Sequence, residues 1–224
     1  MKVVIRIGGS VVSSPPNSKL MTQYVDLLKK LKAHGHEIVA VVGGGAIARD
    51  LIKIAGEMGL SESDKDWVAI FVSRLFALLF VMRLGDLGCG TVPVSIDETV
   101  DCSKQGKIVV MGGLKPGMTT DAVAAMIAER LKARLLIKAT DQEGVYTKDP
   151  EKFPEATKID EIKFKDLFAS LDEDKHKAGI QQILDPVAVR VLQKSRIKTV
   201  VVNGFKPKNI LLVIKGKKIG TMIG

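Results

Sequence analysis

"IVAVVGGGAIARDLI", residues 38–52, is an apolar run that breaks into three glycines and resumes as a helical pattern carrying an arginine. A buried strand, a glycine corner and a helix in that order are how α/β proteins present backbone amides to phosphate. Read as Gly43-x-Gly45-x-x-Ala48, the stretch also fits a dinucleotide-binding fingerprint. Asp64 and Asp66 even lie roughly 20 residues on, where a ribose-binding acid is expected. What surrounds the glycines has to decide what they hold.

Upstream, residues 2–7 form a short apolar strand that ends in Gly8-Gly9, and residues 13–18 read as a loop. Leu20, Tyr24, Leu27, Leu28 and Leu31 recur at helical spacing, and Gly35 closes that helix. The strand at 37–42 leads through the glycine triplet into a helix running to about residue 58. Downstream, 61–66 reads as a loop and 67–82 as a helix apolar on nearly every face. Residues 91–96 and 107–113 read as strands, 119–133 as a helix, 133–140 as a strand and 141–150 as a turn-rich corner. The last third repeats the pattern, with a helix at 185–195 and a strand at 197–202. A short helix at 206–214 has proline in its first turn, and a closing strand spans 218–223. Strands alternating with helices predict a single α/β domain over 1–224, a layered α/β/α sandwich around a mostly parallel sheet.

The bulk numbers narrow the ligand. The 224 residues carry a net charge of +9, with 46% hydrophobic and 26% charged residues. The lysines are scattered, apart from 215–218, and aromatics are 4%, so stacking platforms for nucleic acid are scarce. The charge reads as a solvated surface plus a phosphate-rich small-molecule ligand, without nucleic acid or membrane as partner. The N-terminus runs straight into a strand and lacks a signal-peptide pattern, and Arg74 interrupts the apolar 67–82 segment, which is short for a membrane span. Cys89 and Cys102 lack metal-ligand spacing and do not suggest a disulfide, so the expected setting is a reducing, cytoplasmic one.

Four polar or glycine-rich corners each follow a strand: Gly8-Gly9-Ser10, Gly43-Gly44-Gly45, Gly112-Gly113, and the 140–149 turn. In an open parallel sheet such corners share the carboxyl edge, where ligands bind. Three glycine corners together favour a ligand with several phosphates over three tight turns. The dehydrogenase reading weakens, because its acid follows a second strand and none separates the glycine helix from Asp64 and Asp66. No G-x-x-x-x-G-K-[ST] occurs either.

Residues 7–11 (IGGSV), 41–52 (VVGGGAIARDLI), 61–66, 73–77, 109–129 (VVMGGLKPGMTTDAVAAMIAE), 139–150 (ATDQEGVYTKDP), 177–179 and 185–189 together resemble the amino-acid kinase superfamily. Within it the chain is similar to the archaeal-type uridylate kinases over essentially its whole length. The resemblance implies transfer of a phosphoryl group from Mg-ATP to UMP, with Mg2+ held mainly through nucleotide phosphates and no metal ligand assigned. It implies that Gly9, Ser10 and Gly45 hold the ATP phosphates and that Arg49 reaches a phosphate oxygen. Thr140, Asp141, Tyr146 and Asp149 match the nucleoside end of the ATP site. On the acceptor side, Gly44 faces the UMP phosphate and Asp66 the ribose. Leu114, Lys115, Pro116, Gly117, Met118, Thr119 and Thr120 wrap the uridine and its phosphate. Asp121 orients the cations on the transferring group, Lys177 stands near the leaving nucleotide, and Arg6 takes the place of a phosphate-binding lysine. It further implies a homohexamer, a trimer of dimers, with 67–82 in the dimer contact.

The bland readings run beside these. Asp66 is also a natural N-cap for a helix at 67–82, Asp121 a helix-start acid, Arg49 a solvated arginine and Lys177 one lysine among many. Phe76 stands where the family usually has asparagine, and Asp141 and Glu143 replace the residues of a TNVDG corner; an aromatic at 76 suits a helix-to-helix contact between subunits. Two alternatives compete. One is a kinase of this fold with another acceptor, such as isopentenyl phosphate, although His34, His36 and His176 lie in no matching motif. The other is a nucleotide-binding or storage protein without activity.

Overall fold

The computed structural model describes residues 1–167 and 184–224. Five strands run parallel: β1 (Lys2–Ile7), β2 (Glu37–Val42), β3 (Val109–Met111), β4 (Leu135–Thr140) and β8 (Lys198–Asn203). With β7 (Glu161–Ile162) and β9 (Thr221–Ile223) they form a seven-stranded sheet in the order β3-β2-β1-β4-β8-β9-β7. Only the β8–β9 pairing is antiparallel in that sheet. Strands β5 (Val145–Tyr146) and β6 (Lys158–Ile159) make a separate small hairpin. The chain winds outward from β1 to β2 and β3, then returns to place β4 on the other side of β1. The order therefore reverses between β1 and β4, and such a switch point opens a crevice at the carboxyl ends of the strands.

Period-2 alternation sends the strand residues into two cores. Val3, Ile5 and Ile7 of β1 pack with α2 (Ser18–Ala33), α4 (Glu62–Leu84) and α8 (Lys208–Ile214). Val4 of the same strand packs on the other face, with α5 (Ile96–Lys104), α6 (Thr120–Leu131) and α7 (Pro186–Ser195). The result is the expected three-layer sandwich. Two short elements complete the first face: α1 (Gly9–Val12), and α3 (Gly45–Glu57), which packs against α4.

Several local expectations need correction. Residues 91–96 are not a strand: Pro93 is buried, Val94 is exposed and the segment leads into α5, capped by Ser95. Residues 61–66 are not a loop. Ser61 and Asp64 form a reciprocal capping box, so α4 starts at Glu62. Asp66 thus lies inside the helix, and the N-cap is Ser61. With 23 residues α4 is also long and apolar enough by length and composition to cross a membrane. Its Val72, Phe76, Ala77, Phe80, Val81 and Leu84 are instead committed to the core. Phe76 is only 6% exposed and fills the chain's own interior, so it is unavailable to a contact between subunits.

Cys89 and Cys102 are joined in a disulfide, with Cα atoms 5.6 Å apart, contrary to the sequence expectation. The backbone brings them together. Cys89 N–H donates to the Ile108 carbonyl, and Lys107 N–H donates to the Cys102 carbonyl. Both cysteines therefore flank the same short segment entering β3, a proximity that spacing along the chain does not reveal.

Candidate active site

Arg6 and Lys138 are Cα partners across β1 and β4, at the switch point. Adjacent parallel strands in register aim paired side chains at one face, here the face that carries α6. The α6 N-terminus is fixed there by Thr119, whose hydroxyl caps the Ala122 N–H. Asp121 in the first turn then meets both cations. Its Oδ2 accepts from Lys138 Nζ at 2.6 Å, and its Oδ1 lies 2.8 Å from Arg6 Nε. The Arg6 contact is an ion contact outside hydrogen-bond alignment. Arg6 Nη2 also donates to Thr120 Oγ1 at 3.1 Å.

Burial alone pushes the Asp121 carboxyl up, but the charges of Arg6 and Lys138 outweigh it and hold the group below the ordinary carboxylate range. Burial draws Lys138 below the usual lysine range, and Asp121 counters only part of that. The cluster is a buried carboxylate between two cations, with one positive charge in excess.

The guanidinium of Arg6 lies across two glycine corners. A Cβ at Gly8 would sit 3.0 Å from Arg6 Nη1, and one at Gly43 would sit 3.6 Å from Nη2. The first and second corners are pressed together. A Cβ on Gly9 would meet Gly45 N at 2.1 Å, and one on Gly45 would meet Ser13 Oγ at 2.1 Å. Gly45 has φ +62, so both space and backbone conformation select glycine. Gly44 occupies the N-cap position of α3 and has no side chain to cap it, while the Ala46 N–H in the first turn donates to Ser14 Oγ at 2.6 Å. Ser10 is half-buried in α1, and Arg49 is exposed on α3 with no ion pair among the described residues.

Across the crevice, α4 grips the loop after β3. Gly113 N–H donates to Ser73 Oγ at 2.8 Å. Arg74 donates to the carbonyls of Gly113 and Leu114, both at 2.9 Å. Asp66 Oδ2 accepts the Gly117 N–H at 2.7 Å. Lys115, Gly117 and Thr119 are exposed, whereas Leu114, Pro116, Met118 and Thr120 are half-buried. Asp66 and residues 114–120 are therefore one wall, on the opposite flank of Arg6 from the β4 corner.

That β4 corner carries the remaining predicted residues. Thr140 Oγ1 donates to Asp141 Oδ1 at 2.9 Å. Tyr146 is half-buried in the β5–β6 hairpin. Asp149 caps its own turn through the Glu151 N–H at 3.0 Å and pairs with Lys152 at 3.5 Å. Lys177 lies outside the described residues.

Two features escaped the sequence reading. Lys138 sits in an apolar strand and was passed over, although a lysine two residues from a strand end, flanked by buried neighbours, is a signal in itself. The corner after β8 was missed as well. Asn203 and Lys206 there both donate to Glu143 Oε1, at 2.9 and 2.5 Å, and tie this corner to the 140–149 segment.

A doubly wound sheet with glycine corners at its carboxyl edge, and with the half-buried Arg6 and buried Lys138 around a carboxylate at its switch point, is the architecture of a nucleotide- or phosphate-handling α/β protein. The comparisons narrow this class. The family model described as "Amino acid kinase family" matches residues 1–203. Uridylate kinase of Methanocaldococcus jannaschii is 40% identical over 225 residues, covering 100% of this chain and 99% of that protein. Uridylate kinase of Methanocella arvoryzae is 41% identical over 223 residues, again covering 100% and 99%. The crystal structure of uridylate kinase from Archaeoglobus fulgidus superposes with a TM-score of 0.88 at 36% identity, over 100% of both chains. The chain belongs to the amino acid kinase family, alongside its uridylate kinases.

Proposed function

We propose that the protein transfers the γ-phosphoryl group of ATP to the phosphate of UMP, releasing ADP and forming UDP. The observation that carries this reading is the buried Arg6–Asp121–Lys138 cluster between two walls, each suited to one nucleotide. A UMP phosphate oxygen attacks the γ-phosphorus while the bond to the ADP oxygen breaks, so charge has to be held on both sides of the moving group.

Gly9, Ser10 and Gly45 take the ATP phosphates, and Gly44 turns the α3 N-terminus towards the UMP phosphate. Arg6 and Lys138 neutralise the transferring group, and Asp121 keeps the two cations apart from one another and aimed. Arg49 is one turn beyond the triplet, exposed and free to swing its fork onto a phosphate oxygen. Residues Leu114–Thr120 enclose the uridine. Asp66 acts first through the Gly117 N–H that it holds, which shapes this wall, and its carboxylate meets the ribose. Thr140, Asp141, Tyr146 and Asp149 form the nucleoside end of the ATP site, and Lys177 belongs to the same proposal.

Among the described residues no group of three or more His, Cys, Asp or Glu side chains is placed to cage a metal. A corner built of backbone amides and cations would hold Mg2+ through the nucleotide phosphates that Gly9, Ser10 and Gly45 take, and the ion would offset their charge. The two described histidines, His34 and His36, precede β2 at the opposite, amino edge. Neither of these two stands by an acceptor phosphate, so among the described residues no histidine supports isopentenyl phosphate as the acceptor. Coupled ADP release over UMP, CMP, dTMP, AMP and isopentenyl phosphate tests the assignment. UMP should be turned over best, and turnover of CMP equal to that of UMP would remove the specificity claim.

We also propose a homohexamer, a trimer of dimers, with the outer face of α4 packed against a second copy; the Cys89–Cys102 disulfide removes the cysteine argument for a reducing, cytoplasmic setting. Phe71, Leu75, Leu79 and Met82 recur on that face and are 61%, 59%, 46% and 68% exposed. The commitment of the inner face of α4 to the core leaves this stripe uncovered, and self-complementary pairing is the economical cover. Sedimentation equilibrium on the wild type and on Phe71→Asp tests it. A wild-type monomer at micromolar concentration would end the proposal.

A further inference from the structure

A second cavity, of about 800 Å3, opens at the amino edge of the sheet, on the side away from the glycine corners. Its origin is a mismatch of lengths. Helix α8 has seven residues and covers about 10 Å, whereas the six-residue β8 beneath it spans about 20 Å. The uncovered part of the sheet becomes an apolar floor, made by Leu135, Val200, Ile214 and Met222.

The rim is basic. Arg134, Lys198, Lys217 and Lys218 line it beside His36, with Asp160 and Glu161 as the acids. Those acids are already engaged: Asp160 pairs with Lys158, and Glu161 with Lys218 at 3.4 Å. Arg134, Lys198 and Lys217 form no ion pair among the described residues. A volume in this range suits one small organic ligand, and an apolar floor under unpaired cations selects its chemistry.

We propose that this groove is a second ligand site, distinct from the transfer site, for an amphiphilic organic anion: an apolar or aromatic body bearing a phosphate, sulfonate or carboxylate. The body lies on the sheet face vacated by α8, and the acid group meets Arg134 and Lys198. Neither residue belongs to the transfer site, and both side chains are exposed, so their replacement leaves the core intact.

The probe is 8-anilinonaphthalene-1-sulfonate, an aromatic anion that fluoresces when it leaves water. It is titrated into the full-length protein with UMP and ADP saturating, so that the carboxyl-edge site is occupied. Saturable, blue-shifted binding is expected. Exposed charge contacts are individually weak, so the Arg134→Glu/Lys198→Glu double variant should bind about tenfold more weakly. Its turnover of UMP should match the wild type. On the wild type, affinity should also fall as salt rises from about 0.05 to about 0.5 M, a readout that does not depend on any variant folding. Binding that ignores both the double substitution and salt overturns the proposal. So does binding that appears only when UMP and ADP are left out, because that places the probe in the transfer site.

Discussion

Replacing Asp121 by asparagine keeps the size of the side chain and removes the one negative charge of the buried cluster. Lys138 Nζ at 2.6 Å and Arg6 Nε at 2.8 Å then lose the carboxylate that they share. Arginine cannot give up its proton, so the lysine must. Burial already draws Lys138 below the usual lysine range, and the principal influence opposing that is Asp121. In the variant, Lys138 loses that support and is neutral over more of the accessible pH range. One transfer-site cation is lost and the other is no longer aimed. By analogy with removal of a single preorganised donor, kcat should fall about 10²–10³-fold, roughly 3–4 kcal/mol of barrier. The fold is affected less, because deprotonation of Lys138 relieves the repulsion between the two cations; a loss of about 1–3 kcal/mol is expected. The assay is steady-state ADP release across pH, with chemical denaturation beside it. The fall of activity at alkaline pH should move to lower pH in the variant, since a more depressed lysine discharges sooner. A kcat within about tenfold of wild type, together with an unmoved alkaline limb, would refute the reasoning and leave Asp121 as a structural counter-ion.

The same carboxylate shapes acid stability. Its folded pKa lies below the ordinary aspartate range, so its stabilising contribution is complete above that range and is lost as pH falls through the folded pKa; Asp121→Asn should flatten the acid limb of stability measured by denaturant midpoint. Gly45→Ala drives a Cβ to 2.4 Å from the Gly9 carbonyl oxygen at φ +62, so it should cost at least about 2 kcal/mol in denaturation and abolish ATP binding by calorimetry. Asp66→Ala leaves the Gly117 N–H without its acceptor, and it should raise KM for UMP while KM for ATP stays within about twofold. Reducing the Cys89–Cys102 link reopens a loop with a sequence separation of 13; the expected loss is about 3 kcal/mol, read as a lower melting temperature in dithiothreitol with turnover retained.

Much of this was legible in the chain because it depends on local pattern. Strand, glycine corner and helix recur with the right periods, and that alone placed the corners after β1, β2, β3 and β4 at a common edge. Asp121 and Arg6 were legible as candidates through the resemblance to the amino-acid kinases, Arg6 also because it adjoins the Gly8-Gly9 corner. Their meeting was not, because a separation of 115 positions is closed only by the register of β1 with β4 and the seat of α6. Lys138 was missed for the same reason: its significance lies in its cross-strand partner, Arg6, and not in its sequence neighbours. The disulfide likewise depends on where Ile108 draws two segments together. Phe76 was misplaced because a helix apolar all round gives no hint of which face turns inward.

The two transfer-site cations sit on β1 and β4, each hydrogen-bonded on both sides within the middle of the sheet, while the opposing wall is a loop held by side chains of α4. The halves of the crevice therefore live on different clocks. Central-strand amides exchange their protons only when the whole domain opens, whereas a loop held by three residues can loosen alone. In deuterium, Arg6 and Lys138 should exchange at the rate of global unfolding and Lys115–Gly117 many orders of magnitude faster. If the proposed assignment holds, residues 114–118 can be rebuilt to retune the acceptor without touching the charges on β1 and β4.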